Sequence, residues 1–213
     1  MKRILFTLLI GIGICASAEA QGLKLNGYAN YLFDDSFDTR YSPTSYFYGK
    51  IFGGFQWGIG LEYMPSYDYG VELVYYRQDT EARVTYYRAG ERTEILPISI
   101  NYIMVGGNRY AAPNDRVEGF GGLLVGAVVY DNKEPLPGEP NSVTKFAWGI
   151  RLGGNVWLAE NVGIKADMSL FSAVQSIGGS FYFGTGGSGA GVSTFSTLFQ
   201  FGLGGGLVIR FGE

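Results

Sequence analysis

The sequence predicts an all-β fold: an eight-stranded, antiparallel, up-and-down β-barrel of the transmembrane kind. Three observations predict it. Apolar and polar residues alternate with period two over most of the chain, and in seven of eight segments the apolar face carries no charge. The connections between segments alternate between long and short. After residue 20, no run approaches the roughly 18 consecutive apolar residues of a membrane-spanning helix, so only a closed barrel offers a way through a bilayer.

Residues 1–20 are set apart before any strand is read. Lys2 and Arg3 precede an apolar run over residues 4–14, and Ala18-Glu19-Ala20 offers a small-x-small cleavage site. This is the pattern of a cleaved signal peptide, leaving residues 21–213 as the barrel domain. Cys15 follows Ile14 rather than a small residue, which argues against a lipidated N-terminus. It is the only cysteine, so disulfide and thiol chemistry are not expected after cleavage. The 16 basic and 19 acidic residues become 14 and 18 without Lys2, Arg3 and Glu19, a net of −4. That balance gives no footprint for nucleic acid. Glycine (34 residues) and aromatics (16%) are both abundant. The pairing suits a curved sheet whose side chains alternate between large and absent.

The first strand covers about 23–33, with Leu23, Leu25, Ala29, Tyr31 and Phe33 on one face and Lys24, Asn26 and Asn30 on the other. The second, about 47–63, sets Phe55, Trp57, Ile59, Leu61 and Tyr63 against Lys50, Gln56 and Glu62. The third sets Val71, Leu73 and Tyr75 against Glu72, and the fourth sets Leu96, Ile98, Ile100, Tyr102 and Met104 against Ser99 and Asn101. The fifth, 120–130, is apolar or glycine on both faces, so alternation does not orient it. The sixth sets Phe146, Trp148, Ile150, Leu152, Val156 and Leu158 against Lys145, Arg151 and Asn155. The seventh sets Val162, Ile164, Ala166, Met168 and Leu170 against Lys165 and Asp167. The eighth sets Phe199, Phe201, Leu203, Leu207, Ile209 and Phe211 against Gln200 and Arg210. Charge-free faces point to lipid, because a Lys or Arg at a bilayer midplane costs about 2–4 kcal/mol.

The odd-numbered connections are long: about 34–45, 78–94, 131–142 and 173–195. Two even-numbered ones, 65–68 and 159–161, are short. Long loops at one end and short turns at the other is the outer-membrane arrangement. The middle even connection, about 105–118, is too long for that rule and is read as a strand extension or a periplasmic flap. Aromatics near strand ends are read as interfacial girdles: residues 46–48, Tyr75, Tyr76, Tyr130, Phe146 and Trp148 on the outer side, and Tyr63, Tyr69, Tyr102, Trp157 and Phe211 on the inner side.

On these patterns the chain resembles the small outer-membrane β-barrel families, the OmpX-, OmpW- and OmpA-barrel-like group of porin-type domains. Two segments carry the likeness. Glu94-Ile95-Leu96-Pro97-Ile98-Ser99-Ile100-Asn101-Tyr102 looks like the family strand that opens with an acidic residue and Ile-Pro and ends in Tyr. Here the acidic residue stands one position further from the proline, and Pro97 calls for a bulge or a place above the membrane. The C-terminal strand ends Arg210-Phe211-Gly212-Glu213, where family barrels commonly end on an aromatic. The resemblance implies export to the outer membrane, contact with its lipids and lipopolysaccharide, and Phe211 as the aromatic offered to the barrel-insertion machinery.

The candidate site is a lumen ion-pair cluster: Lys24, Glu62, Glu72, Arg151, Lys165, Asp167 and Arg210. If Tyr63 pairs with Val71, Glu62 faces Glu72 across the hairpin, which needs nearby cations. An eight-stranded barrel is only just wide enough for side chains to fill, so the cluster is expected to plug it. No catalytic residue, cofactor or metal site is expected. The chain lacks histidine, the usual base near neutral pH. Asp34, Asp35 and Asp38 read as a solvated acidic loop before they read as a calcium site, and the glycines over 184–191 as a loop tip. Alternating charges from Asp79 to Glu94, with Tyr86 and Tyr87 among them, suggest strands extending beyond the membrane and able to meet an extracellular partner. Three functions remain: a structural or surface-interaction barrel, a narrow channel for small or hydrophobic solutes, and a soluble periplasmic lipocalin-like carrier. The charge-free faces argue against the third.

Overall fold

The computed structural model describes residues 22–42, 45–87, 91–114, 116–133, 141–174 and 198–211. The expected signal peptide, the glycine run and most of the third and fourth long connections lie outside these residues. The described residues form ten strands: β1 (Leu23–Leu32), β2 (Asp35–Ser42), β3 (Ser45–Ile51), β4 (Gly54–Ser66), β5 (Tyr69–Tyr87), β6 (Glu91–Asn114), β7 (Val117–Asn132), β8 (Ser142–Trp157), β9 (Val162–Val174) and β10 (Leu198–Phe211). Eight of them, β1 and β4 to β10, close into an all-antiparallel barrel, with β1 joining β10 to β4. Closure leaves no sheet edge at membrane depth.

The remaining pair, β2 and β3, forms a hairpin that continues β1 and β4 upward, held to the upper part of β5 from Phe47↔Tyr86 to Ile51↔Ala82. Residues 47–63, read as one strand, therefore break into β3 and β4. The break is at Gly53, where the chain pinches against the top of β1. A Cβ there would overlap the Leu32 carbonyl oxygen, and its N–H donates to Asp34 Oδ1 at 2.7 Å. The segment read as the first long loop is largely strand β2.

The second long loop is also mostly strand. β5 has 19 residues and β6 has 24, paired as far as Tyr87↔Glu91. A tilted strand crosses the apolar band with about 9–11 residues, so this hairpin continues well beyond it. The middle even connection is a strand extension. β6 runs to Asn114, whose side-chain oxygen accepts from the N–H groups of Arg116 (3.0 Å) and Val117 (2.9 Å), closing a tight turn. All three connections at this end of the barrel are short, and we call it the short-turn rim.

Burial orients each strand. β7, which alternation left open, turns Glu118, Phe120, Leu124 and Val128 inward and Leu123 and Val125 outward. β6 corrects the sequence reading. Its Ile98, Ile100, Tyr102 and Met104 face the lumen, while Ile95, Ile103 and Val105 are exposed on the wall. The reason is that the lumen away from the short-turn rim is mostly aromatic and aliphatic, so an apolar stripe is at home on either side. Tyr76, Tyr102, Tyr130 and Trp157 likewise leave the proposed girdles and face inward, whereas Tyr63, Tyr69, Phe146 and Phe211 stay on the outside.

The outer wall carries Phe55, Ile59, Leu61, Leu73, Ile103, Leu123, Leu152, Met168 and Leu207, all exposed. On β5 and β6 this belt is bracketed by two outward arginines. Arg109 is paired with Tyr69, and Arg77 stands eight residues further along β5. Eight residues rise about 27 Å along a strand, or roughly 20 Å of height at the tilt of such barrels, close to an apolar band about 25 Å tall.

Candidate functional site

Period two sends every second side chain of eight strands into the lumen, which fills in tiers. Nearest the short-turn rim is an ionic tier, above it a band of aromatics, then Gln56, Gln78 and Gln200, and finally an apolar cap containing Leu32, Ile51, Ile98 and Ile100.

The register places Glu62 opposite Glu72, and Tyr63 opposite Val71. The two carboxylates share donors. Asn26 Nδ2 donates to Glu62 (3.1 Å) and Glu72 (2.9 Å), and Asn108 Nδ2 donates to Glu62 (2.8 Å) and Glu72 (3.2 Å). Tyr110 Oη adds a 2.8 Å bond to Glu62, and Tyr28 Oη a 2.6 Å bond to Glu72. Two amides thus bridge a like-charged pair. Their setting also requires glycine: a Cβ on Gly60 would overlap the Glu72 carboxylate, and one on Gly70 the Glu62 carboxylate.

Arg151 enters from β8 and spans the barrel. Its guanidinium is ion-paired with Glu72 and donates to Tyr28 Oη and Tyr76 Oη at 2.7 Å each, and to Asn108 Oδ1 at 3.2 Å. Lys165 donates to Asn26 Oδ1 at 2.8 Å and lies 4.7 Å from the Phe120 ring centre. Lys24 pairs with Glu118 (3.0 Å), not with Glu62, and sits 3.9 Å over the Tyr110 ring. Asn155 donates to Glu118 as well, at 2.9 Å. Lys24, Glu62, Glu72, Arg151 and Lys165 are therefore linked in one buried network. Asp167 is buried on the same inward face of β9 as Lys165, but among the described residues its oxygens receive no donor. Arg210 stands at the margin: its side chain is 40% exposed and 3.9 Å from Glu118.

Sequence reasoning missed Glu118, Asn108 and Tyr110, because all three fell in the segment read as a connection. The signal was present. Continuing period two past Met104 puts 106, 108 and 110 inward, and extending β7 back from Phe120 does the same for 118.

The acidic loop is tied into the fold. Asp34 pairs with Lys50, and Asp35 accepts the Phe199 N–H at 2.8 Å, fastening the start of β2 to β10. The side chain of Asp38 lies outside the described residues. Further along the projecting hairpin, Asp79 pairs with Arg77 (3.0 Å) and Lys133 (2.8 Å), and those two cations hold its carboxyl below the ordinary aspartate range. Among the described residues no group of acidic side chains has the spacing of a metal site.

No protein-family model matches the sequence, and no curated protein does. Solved structures do. The fold is similar to Neisserial surface protein A, with 14% identity, 88% of this chain and 97% of that chain covered, and a TM-score of 0.56. It is similar to the outer membrane protein OprG from Pseudomonas aeruginosa, with 12% identity, 92% and 98% covered, and a TM-score of 0.56. It is also similar to the outer membrane protein AlkL in lipid bilayers, with 13% identity, 91% and 92% covered, and a TM-score of 0.53. At these identities the likeness is one of fold, and that fold is the small outer-membrane β-barrel.

Proposed function

We propose that the chain is a non-enzymatic integral protein of the Gram-negative outer membrane, with a structural or surface-interaction role carried by its extracellular strands. The observation that supports it most is the contrast between the two ends. The lumen is filled by side chains bonded to one another across its full width, from β8 through Arg151 to β1, β5 and β6. At the other end β5 and β6 continue beyond the membrane band and, with β2 and β3, build a sheet with charged and aromatic residues. The paired carboxylates that resemble an acid–base couple are occupied by asparagine, tyrosine and arginine donors, which suits a closure better than a reaction. The lipocalin-like alternative would need its apolar wall turned inward.

A narrow path for small apolar solutes is a second reading, favoured by the apolar cap of the lumen. Two measurements separate them. The outer-membrane fraction run boiled and unboiled should show a heat-modifiable band, as a closed barrel resists detergent. Planar-bilayer recordings should then show no discrete conductance for the native protein, with openings appearing in Glu72→Ala. Conductance or apolar-solute uptake by the native protein would favour the channel, and a soluble periplasmic protein without a gel shift would sink both.

A further inference from the structure

The short-turn rim opens on a cleft of about 440 Å³ lined by Arg116, Trp157, Leu158, Ala159, Glu160 and Arg210. We propose that this cleft binds a small organic carboxylate from the periplasm. It lies below the ion network and meets it where Arg210 faces Glu118, and it goes beyond the proposed surface role.

The cleft is a built site. The Trp157 N–H donates to the Arg116 carbonyl (2.8 Å), and the Arg210 N–H to the Asn161 carbonyl (2.9 Å). Those two bonds tie the β6–β7 turn, the end of β8, the β8–β9 turn and the end of β10 around one space. Arg210 lies with its guanidinium 4.1 Å from the Trp157 ring centre, a cation–π contact that holds it at the cleft. Glu118 already accepts two bonds from Lys24 and one from Asn155, and Arg210 stands 3.9 Å from it and remains partly exposed. A planar fork held in this way matches a carboxylate.

Charge and shape narrow the class. Two arginines and Glu160 leave a net charge of +1 on the lining, which one carboxylate neutralises. Trp157, Leu158 and Ala159 supply an apolar flank for the body of the ligand, and the volume falls within the range of small-molecule sites, about 300–1,000 Å³. Trp157 and Arg210 belong to the inward faces of their strands, so the ligand arrives from the aqueous mouth and not from the lipid.

The full chain, refolded in non-ionic detergent, is titrated calorimetrically with benzoate, and with benzyl alcohol and chloride at matched ionic strength as controls. The expected result is saturable binding of benzoate alone. Arg116→Gln and Arg210→Gln should each weaken it by at least about tenfold, as expected for one charged hydrogen bond. Arg116 lies in an exposed turn, so its variant keeps the test meaningful if Arg210→Gln fails to give the heat-modifiable band. Equal binding of benzyl alcohol, undiminished binding in the Arg116 variant, or no benzoate binding by the native protein would overturn the proposal.

Discussion

At the scale of single residues, the lumen depends on where side chains are absent as much as on where they meet. Glu72 lies over Gly60 of the next strand, and its carboxylate is pinned by Arg151, Tyr28, Asn26 and Asn108, so it cannot move aside for a methyl group. Gly60→Ala should therefore lower unfolding stability by about 1–3 kcal/mol, the usual cost of overpacking. Gly107→Ala is the matched control, because a Cβ there meets nothing within 4 Å. Urea titrations of the heat-modifiable band in detergent would read both, and equal midpoints would refute the argument. Arg151→Ala should cost more, about 3–5 kcal/mol, because it strands the buried Glu72 carboxylate without its cation. The same titration checks it, and a loss below that of Gly60→Ala would mean that the asparagine and tyrosine donors satisfy Glu72 by themselves.

At the scale of elements, the sequence was legible wherever a charge marked a face. Lys24, Glu72, Arg151 and Lys165 all lie on the lumen side as alternation requires, and their strands were oriented correctly. Orientation failed on β6 and stayed open on β7, where the lumen is apolar and glycine-rich and the two sides of the wall look alike to a hydropathy pattern. The site was legible in the ions that sat on recognised strands and not in Glu118, Asn108 and Tyr110, because these fell in a segment taken for a connection, where period two was not followed. The projecting hairpin was foreshadowed by the alternating charges after Gln78. Its base makes a prediction of its own. Asp79 bonds to Arg77 on its own strand and to Lys133 just beyond β7, and both cations lower its proton affinity. A carboxyl depressed by folding contributes above its unfolded value, about 3.9, and the contribution fades as pH falls through the lower folded value. The backbone amide NMR shifts of Asn132 and Lys133 should thus stay constant from neutral pH down to about 4 and move only below it. In Asp79→Asn that acid step should be absent. Movement centred near pH 6 would point to a different group.

At the scale of the whole molecule, the barrel wall between its bracketing arginines is an inside-out protein surface: many large apolar side chains are exposed there, and a network of ions is buried inside. Water would make that wall an aggregation hazard, whereas a bilayer makes it the cheapest surface available. The claim can be tested by depth along one strand. Leu123, 65% exposed, lies near mid-height on β7, and Val117, 40% exposed, lies six residues away at the short-turn rim. Six residues rise about 20 Å along the strand, and tilt reduces this to roughly 15 Å of height. Leu123→Arg should then destabilise the barrel in lipid vesicles by about 2–4 kcal/mol, and Val117→Arg by about 0–1 kcal/mol, because the charge there reaches the headgroups. In a water-soluble barrel both positions face the same solvent, and neither arginine would show this depth dependence. Refolding into vesicles across a urea series, read by the gel shift, distinguishes the two cases. A large difference between the two variants fixes the membrane plane across β7, and a small one would mean that this apolar wall is not the surface that meets lipid.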